Sequence, residues 1–469
     1  VRLGAGGAQG VAAGCKDIMA DGAGAPAGDD AAMMLPAMLD ESEVLEVLDD
    51  GEGKAPDLED DTADDPAAAA AAEEGDDDGA DEVEDAEVTE VLEDNSALQF
   101  TAHEEAVFSV AVHPKGEVVV SGGEDDSAFL WSLTDGSTKR KLAQHEDSVV
   151  CVGFNRPGDL VASGSMDGII RVFKVEAEAG DTAVCEFDCG DDLNWFQWHP
   201  VANFILAATA GGSMLMWDVP RGKQSFFSGH SMSACCGGWA PDGRTFVSGS
   251  EDGSLLMWSP KTGQTIARVK DGDGVASPKW GPLTAAAWSP AGEQVAFGTA
   301  SGTVNLANAR AGKVLASFDL GDTTVESVAL SGGKPELLAA GAMSGAVHVF
   351  DLASKRQLHV LQHTHGVVKV VWATDRPAVF VSTLGGTTHL WNCTTGQCEQ
   401  TFSAAAVTHV LDFAVTPDGS RVVSVSEDAV CRVFPTAGAL PADAVKAAAP
   451  AIAPLSKEKA VAASAGASA

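Results

Sequence analysis

The sequence predicts an all-β fold: a closed β-propeller of eight blades with four antiparallel strands each. Three observations predict it. A sequence motif made of a small residue, Asp, Gly and two or three apolar residues before Trp or Phe recurs about every 43 residues. Each repeat alternates short apolar strands with turn residues, and no stretch with a helical period interrupts residues 97–436. This pattern excludes a fold in which strands alternate with helices.

Eight copies of the motif can be counted along the chain. The copies at 163–168, before Phe173, and at 248–253, before Trp258, are the clearest. The fifth copy has Ala307 where the other seven carry an aromatic residue. Units of about 40–45 residues with four strands each are typical of a WD40-type β-propeller. The last position of each motif is occupied by Trp131, Phe173, Trp217, Trp258, Ala307, Phe350, Trp391 and Phe434.

Closure of the ring is expected to depend on residues 97–101. Each repeat begins with the outer strand of the preceding blade, but this segment has no preceding blade of its own. The last repeat, which ends at Phe434, lacks an outer strand after it. Pairing the two would complete the eighth blade and remove strand edges that otherwise invite aggregation. The propeller is therefore assigned to residues 96–436.

The segments on either side of the propeller differ from it in composition. The first 100 residues hold 30 of the 68 acidic residues and only three of the 29 basic ones. Because they contain few aromatic residues, residues 1–95 are expected to form a disordered acidic tail. Runs of acidic and aliphatic residues at 43–48 and 88–92 suggest ordering on a partner, with a purely solubilising tail as the alternative. Residues 437–469 are rich in Ala and Pro and are expected to form a flexible C-terminal tail.

The charge of the chain limits its partners. A formal net charge of -39 at pH 7 repels phosphate groups, so direct binding of DNA or RNA is not expected. A basic protein segment fits this charge better. No stretch approaches the ~18 apolar residues needed to cross a bilayer, so membrane insertion is not expected either. We expect a monomer in the cytosol, with the nucleus as a second compartment.

His, Asp, Ser and Trp residues recur at fixed places in the repeat. The turn Asp can accept a hydrogen bond from the His ring, while Ser and Trp complete a buried network, so we interpret these residues as structural. A His-Asp-Ser set also resembles a hydrolase triad, but its repetition at blade spacing without a nucleophile elbow argues against catalysis. Phosphate-binding loops and paired zinc knuckles are absent from the sequence, and no enzyme activity, metal or cofactor is expected. The structural set comprises His103, Asp125, Trp131, His145, Asp167, His230, Asp252, Trp258 and Asp428.

Acidic residues collect in the loops that flank the recurring His and the turn Asp. Both sets of loops open on one rim of a propeller, and their charges would attract a Lys/Arg-rich segment. An ordinary solvated rim is the alternative. Because exposed ion pairs each add little affinity, aromatic anchors are also expected. Trp195 is the candidate, either at the channel mouth or filling a gap between blades. The predicted protein-binding residues are Glu104, Glu105, Glu124, Asp126, Glu146, Asp147, Asp191, Asp192, Trp195, Glu251 and Glu427.

Over about residues 41–436 the chain resembles the angio-associated migratory cell protein family, a family of WD40-repeat proteins. The segments that carry the resemblance are EVLEVLDD (43–50), GGEDD (122–126), DSV (147–149), DLNWFQWHP (192–200) and VLDFA (410–414). A fungal relative in this family is a ribosome-assembly chaperone of one large-subunit ribosomal protein. The resemblance therefore implies an eight-bladed propeller whose negatively charged upper face captures the basic N-terminal segment of such a client. Animal members are associated with cell migration and signalling, which makes a general scaffold or adaptor the alternative function.

Overall fold

The computed structural model describes residues 93–142, 145–176, 182–270, 280–374, 376–404 and 408–436. Within these ranges the chain forms 32 β-strands arranged in eight four-stranded antiparallel sheets. None of the described residues forms a helix long and apolar enough to cross a membrane. The predicted tails lie outside the described residues, apart from Glu93, Asp94 and Asn95. The predicted eight-bladed, all-β propeller is confirmed.

The first four blades each use four consecutive strands, ordered from the innermost to the outermost. Innermost strands of neighbouring blades pack against one another around the ring. Blade 1 comprises β2 (Val107–Val112), β3 (Val118–Gly123), β4 (Ala128–Ser132) and β5 (Thr138–Lys141); blade 2, β6 (Val149–Phe154), β7 (Leu160–Ser165), β8 (Ile169–Lys174) and β9 (Cys185–Asp188); blade 3, β10 (Leu193–Trp198), β11 (Phe204–Thr209), β12 (Met214–Asp218) and β13 (Lys223–Phe227); blade 4, β14 (Ala234–Trp239), β15 (Phe246–Ser250), β16 (Ser254–Trp258) and β17 (Thr265–Lys270).

The remaining blades follow the same order, except that the last one borrows its outermost strand from the start of the propeller. Blade 5 comprises β18 (Leu283–Trp288), β19 (Gln294–Thr299), β20 (Thr303–Asn308) and β21 (Lys313–Asp319); blade 6, β22 (Val325–Leu330), β23 (Leu337–Ala342), β24 (Ala346–Asp351) and β25 (Arg356–Gln362); blade 7, β26 (Val367–Trp372), β27 (Ala378–Thr383), β28 (Thr387–Asn392) and β29 (Gln397–Ser403); blade 8, β30 (Val410–Val415), β31 (Arg421–Ser426), β32 (Cys431–Pro435) and the N-terminal β1 (Leu98–Phe100).

Strand β1 closes the ring, as the sequence predicts. It pairs antiparallel with β32, and Leu98 lies opposite Val433 while Phe100 lies opposite Cys431. Phe100 also stacks on Trp131 of blade 1, with ring centroids 4.8 Å apart and an interplanar angle of 5°. The closing strand therefore completes one blade and packs against the next.

The position that ends each sequence repeat lies on the third strand of its blade. Seven of these eight side chains are buried, and Trp391 is half-buried. Blade 5, which has Ala307 there, receives an aromatic ring from elsewhere: Trp280, in the loop before β18, is 1% exposed and belongs to the same hydrophobic cluster. Its ring meets that of Phe297 edge to face at 5.2 Å. A loop residue thus fills the core where the strand has lost its aromatic residue.

Candidate protein-binding rim

Two loops of every blade lie on the same rim of the propeller, here called the upper rim. One loop precedes the first strand and the other joins the second strand to the third. A backbone hydrogen bond links them, for example from Glu124 N to Ala106 O (2.8 Å) and from Glu251 N to Ser233 O (3.0 Å). The same bond occurs in all eight blades, so the donor residue marks one equivalent position in each. These donors are Glu124, Met166, Ala210, Glu251, Ala300, Met343, Leu384 and Glu427.

Blade 1 contains a complete hydrogen-bonded set beneath this rim. His103 is buried; its Nδ1 lies 3.0 Å from Asp125 Oδ2, and its Nε2 lies 2.8 Å from Ser121 Oγ. Trp131 Nε1 donates to the same hydroxyl oxygen at 3.2 Å. These partners fit the tautomer in which Nδ1–H donates to the carboxylate and Nε2 accepts the Ser hydroxyl proton. The set ties the upper-rim loops to strands β3 and β4.

Blade 4 repeats this arrangement. His230 Nε2 lies 2.7 Å from Ser248 Oγ, and Trp258 Nε1 donates to that hydroxyl at 2.8 Å. On the other side of the ring, His230 Nδ1 lies 3.5 Å from Asp252 Oδ2 and 3.2 Å from Ser254 Oγ. Because Ser121, in blade 1, and Ser248 are fully buried, neither hydroxyl is accessible to a substrate. The geometry is that of a structural network.

Blade 2 carries a variant of the set, because Phe173 stands where blades 1 and 4 have Trp. His145 Nε2 lies 2.9 Å from Ser163 Oγ. Arg171 Nη1 donates to His145 Nδ1 at 2.7 Å and lies 3.7 Å from Asp167 Oδ2. Burial, reinforced by the Arg171 cation, lowers the pKa of His145 to about 4. The ring is therefore neutral at physiological pH.

Blade 8 satisfies its turn Asp without a histidine, a solution that the sequence did not reveal. Arg432 Nη2 donates to Asp428 Oδ2 at 2.6 Å, and its Nη1 donates to Ser426 Oγ at 3.0 Å. The guanidinium also reaches Asp94, just before the closing strand, with Nε 3.3 Å from Oδ2. Arg432 thus links the turn of blade 8 to the segment that closes the ring.

The turn carboxylates are held in their charged form. Burial acts to raise the pKa of Asp125 and Asp252, but hydrogen bonds outweigh it. For Asp125 the largest opposing contribution comes from His103; for Asp252 the Ser254 hydroxyl and two backbone N–H groups bring the pKa to about 2. The pKa values of Asp167 and Asp428 are lowered for comparable reasons. The lone pairs of these carboxylates are therefore engaged in hydrogen bonds within the fold.

The predicted acidic binding residues lie on the upper rim of five consecutive blades, from blade 8 through blades 1 to 4. Nine of them are exposed, and we call this set the acidic arc. It consists of Glu104, Glu105, Glu124, Glu146, Asp147, Asp191, Asp192, Glu251 and Glu427.

Charge is distributed differently elsewhere on the propeller. Among the described residues of the upper-rim loops there is no Lys or Arg. Blades 5 to 7 contribute a single carboxylate, Asp322, in the same described loops. The opposite rim mixes both signs: Lys115 is near Glu117, and Arg244 is near Asp242. Among the residues that the structure describes, the acidic arc is therefore a one-sided concentration of charge on one rim.

Asp126, also predicted to bind, has a local structural role. It is half-buried, its carbonyl accepts a hydrogen bond from His145 N at 2.9 Å, and its φ is 55°. The equivalent turn positions in blades 2 and 4 are Gly168 and Gly253, with φ of 78° and 73°. Asp is one of the few residues that tolerate this left-handed conformation. Asp126 thus occupies the glycine position of its turn and is not part of the acidic arc.

Trp195 lies between two blades. Its Nε1 donates to Ala234 O of blade 4 at 3.2 Å, and its half-buried ring packs against the hydrophobic cluster shared by blades 3 and 4. Gly237 provides the room, since a Cβ there would come within 2.8 Å of the Trp195 ring. Of the two placements left open by the sequence, these contacts favour the ring that fills a gap between blades.

The upper rim also carries exposed apolar side chains that were not predicted from the sequence. Met166, Met232 and Met343 are 44%, 50% and 50% exposed. A signal was present in the alignment of repeats, because Met166 occupies the position that is Glu in blades 1, 4 and 8. Methionine is apolar but not aromatic, so these side chains fall outside the aromatic anchors that the sequence predicts.

Away from the upper rim, a cavity of about 720 Å³ lies between blades 7 and 8, on the side of the opposite rim. Its two cations are already paired, Lys369 with Asp412 at 2.6 Å and Arg376 with Glu399 at 2.8 Å. In the described ranges no group of three or more His, Cys, Asp or Glu is arranged to hold a metal ion.

Comparisons with known proteins agree with this architecture. The family model described as WD domain, G-beta repeat matches residues 95–132, 136–174, 222–259 and 396–434. In Chaetomium thermophilum, Sqt1 bound to the N-terminus of the ribosomal protein L10 has a crystal structure similar to this chain, with a TM-score of 0.67 and 27% identity over 73% of this chain and 100% of the other.

Two sequence relatives extend the comparison. The ribosome assembly protein SQT1 of Saccharomyces cerevisiae is 24% identical, covering 75% of this chain and 89% of its own length. The human angio-associated migratory cell protein is 33% identical over 357 residues, which cover 73% of this chain and 80% of the human protein. The chain therefore belongs to the angio-associated migratory cell protein family.

Proposed function

We propose that this chain is a non-enzymatic chaperone that captures a basic segment of a large-subunit ribosomal protein on its acidic arc during ribosome assembly. The observation that carries the proposal is the arc itself. Nine exposed carboxylates follow one another around five blades, with no Lys or Arg among the described residues of the same loops. Such a field attracts a Lys/Arg-rich segment and repels other anions.

The relatives support the choice of client. Sqt1 of Chaetomium thermophilum has been crystallised with the N-terminus of the ribosomal protein L10. By analogy, the N-terminal segment of L10 is the proposed client of this chain. The encounter would take place in the cytosol or the nucleus, the compartments expected for this chain.

The buried networks support a binding role rather than catalysis. Ser121, Ser163 and Ser248 have no exposed surface, and each lies within 2.9 Å of a histidine Nε2. A catalytic serine must reach its substrate, whereas these hydroxyls stiffen turns beneath the rim. We therefore assign the His, Asp and Trp residues of the repeats to stability and the exposed carboxylates to recognition.

Affinity capture from cells, followed by mass spectrometry, tests the proposal. The bait is the full chain, compared with a variant in which Glu104, Glu146, Asp192 and Glu251 are changed to Lys. We expect the parent to recover a large-subunit ribosomal protein and the variant to lose it, because a repulsive rim replaces an attractive one.

A matched variant controls for the change in net charge. Glu117, Asp242, Glu293 and Glu336 are exposed on the opposite rim, and changing these four to Lys alters the net charge by the same amount. This lower-rim variant should retain the client. Loss of the client from both variants, or from neither, would contradict capture by the acidic arc. Recovery of several unrelated partners instead would favour a general scaffold in signalling or cell migration.

A further inference from the structure

Two of the three exposed methionines on the upper rim, Met166 and Met232, lie in the blades that carry the acidic arc. Met166 is in the loop between the second and third strands of blade 2, and Met232 is in the loop that precedes blade 4. Neither side chain belongs to a hydrophobic cluster of the described residues. Their packing within the chain therefore does not account for their apolar character.

The repeats show that the fold does not require an apolar residue at either place. The donor position held by Met166 is held by Glu124 in blade 1 and Glu251 in blade 4. Met232 directly precedes the acceptor residue of its loop, and the same place is held by Glu105 and Asp147 in blades 1 and 2. Since the backbone hydrogen bond is the same in each case, a charged residue would be accommodated in both places.

Both methionines have carboxylates as neighbours. The bond from Met166 N to Ser148 O brings Met166 beside Asp147, and the bond from Glu251 N to Ser233 O brings Glu251 beside Met232. The loops of blade 3, which carry Asp191, lie between them. A Cβ on Gly168 would come within 2.6 Å of Asp191 O, and one on Gly212 within 2.3 Å of Met232 O. Apolar and acidic side chains thus alternate along this stretch of rim.

We infer that Met166 and Met232 are specificity-determining contacts for an apolar side chain that lies between basic residues of the client. The inference rests on the proposed function and narrows it to a class of segment, one that alternates Lys or Arg with aliphatic or aromatic residues. Carboxylates pair with the basic residues, while the methionines cover the apolar ones. Methionine suits this role because its unbranched, polarisable side chain adapts to different partners.

A pair of synthetic peptides of equal length and charge tests the inference: one alternates Arg with Leu, and the other alternates Arg with Ser. Dissociation constants are measured with the full chain by fluorescence anisotropy. We expect the Arg-Leu peptide to bind about tenfold more tightly, because only it buries apolar surface on the rim. The double variant M166S/M232S should abolish that preference and leave the affinity for the Arg-Ser peptide unchanged.

Met343 provides the matched control. It occupies the same donor position as Met166 and is similarly exposed, at 50% against 44%, but it lies in blade 6, outside the acidic arc. M343S should retain the full preference for the Arg-Leu peptide. Equal binding of both peptides by the parent chain, or an unchanged preference in M166S/M232S, would overturn the inference and leave the proposed function intact. Binding of neither peptide would overturn both.

Discussion

At the scale of single residues, each turn Asp of the strong repeats is satisfied by whichever partner its blade supplies. Asp125 is held by His103, and Asp428 is held by Arg432. The common requirement is that a partly buried carboxylate needs compensating donors, because an unpaired buried charge is costly. The conservation of geometry across blades therefore does not require the same donor residue in each.

Buried histidines make the stability of the propeller depend on pH. Burial, together with the neighbouring Arg171, lowers the pKa of His145 to about 4, and burial together with His363 lowers that of His389 to about 4. An unfolded histidine titrates near 6.5. Between these values the unfolded chain binds more protons than the folded one, so the free energy of unfolding falls as the pH falls. We expect each histidine to remove on the order of 2 kcal/mol between about pH 7 and pH 5.

Urea unfolding monitored at several pH values in this window measures the effect. The lowered pKa values of turn carboxylates such as Asp252 act only at lower pH, because those groups remain ionised above their unfolded values near 4. Replacing His389 with Asn should reduce the slope, because it removes one of the rings whose pKa burial lowers. A free energy of unfolding that stays constant from about pH 7 to pH 5 would contradict the assignment of neutral, buried rings.

At the scale of elements, the closing strand joins the first and last blades. Phe100 is 3% exposed and belongs to a hydrophobic cluster that also contains Val107 of blade 1 and Val433 of blade 8. Asp94, just before the strand, is bound by Arg432. A segment of a few residues therefore carries contacts that are very distant in sequence, and its loss would leave an open edge on β32.

Two deletions test this role. Removal of residues 1–92 leaves every described strand in place, and we expect the melting temperature to stay unchanged. Removal of residues 1–101 takes away β1, and we expect the melting temperature to fall by about 10 °C, with increased aggregation. The point variant F100A, which retains the backbone, should lie between the two. Equal melting temperatures for both deletions would mean that β1 does not stabilise the ring.

Much of the element structure could be predicted from the sequence, because every blade needs a core side chain at the same position of its third strand. The recurring aromatic residue must fill the space between sheets, so its spacing marks the third strand even where Phe173 replaces Trp. The replacement of one side chain by another from a different position could not be predicted. Trp280, a loop residue, fills the core of blade 5. In blade 8, Arg432 on β32 holds the turn Asp, a role that His103 has in blade 1. Both depend on side-chain directions that appear only after the blades are assembled.

At the scale of the whole molecule, the two rims differ in how their charges are arranged. The acidic arc concentrates exposed carboxylates on neighbouring blades, whereas acids on the opposite rim, such as Asp242, lie close to cations such as Arg244. The sequence indicated the acidic loops, since their composition is visible in each repeat. It could not indicate which carboxylates face solvent or which, like Asp126, are engaged in the turn, because exposure depends on the packed ring.

The dependence of client binding on salt tests the central claim most directly. The measurement is the dissociation constant of a synthetic peptide corresponding to the N-terminus of ribosomal protein L10, taken between about 50 mM and about 500 mM NaCl. We expect the parent chain to lose affinity steeply as salt rises, and a variant with Glu104, Glu146, Asp192 and Glu251 neutralised to Gln or Asn to bind weakly with a shallow dependence. Equal affinity and an equal slope in the two proteins would contradict capture by the acidic arc.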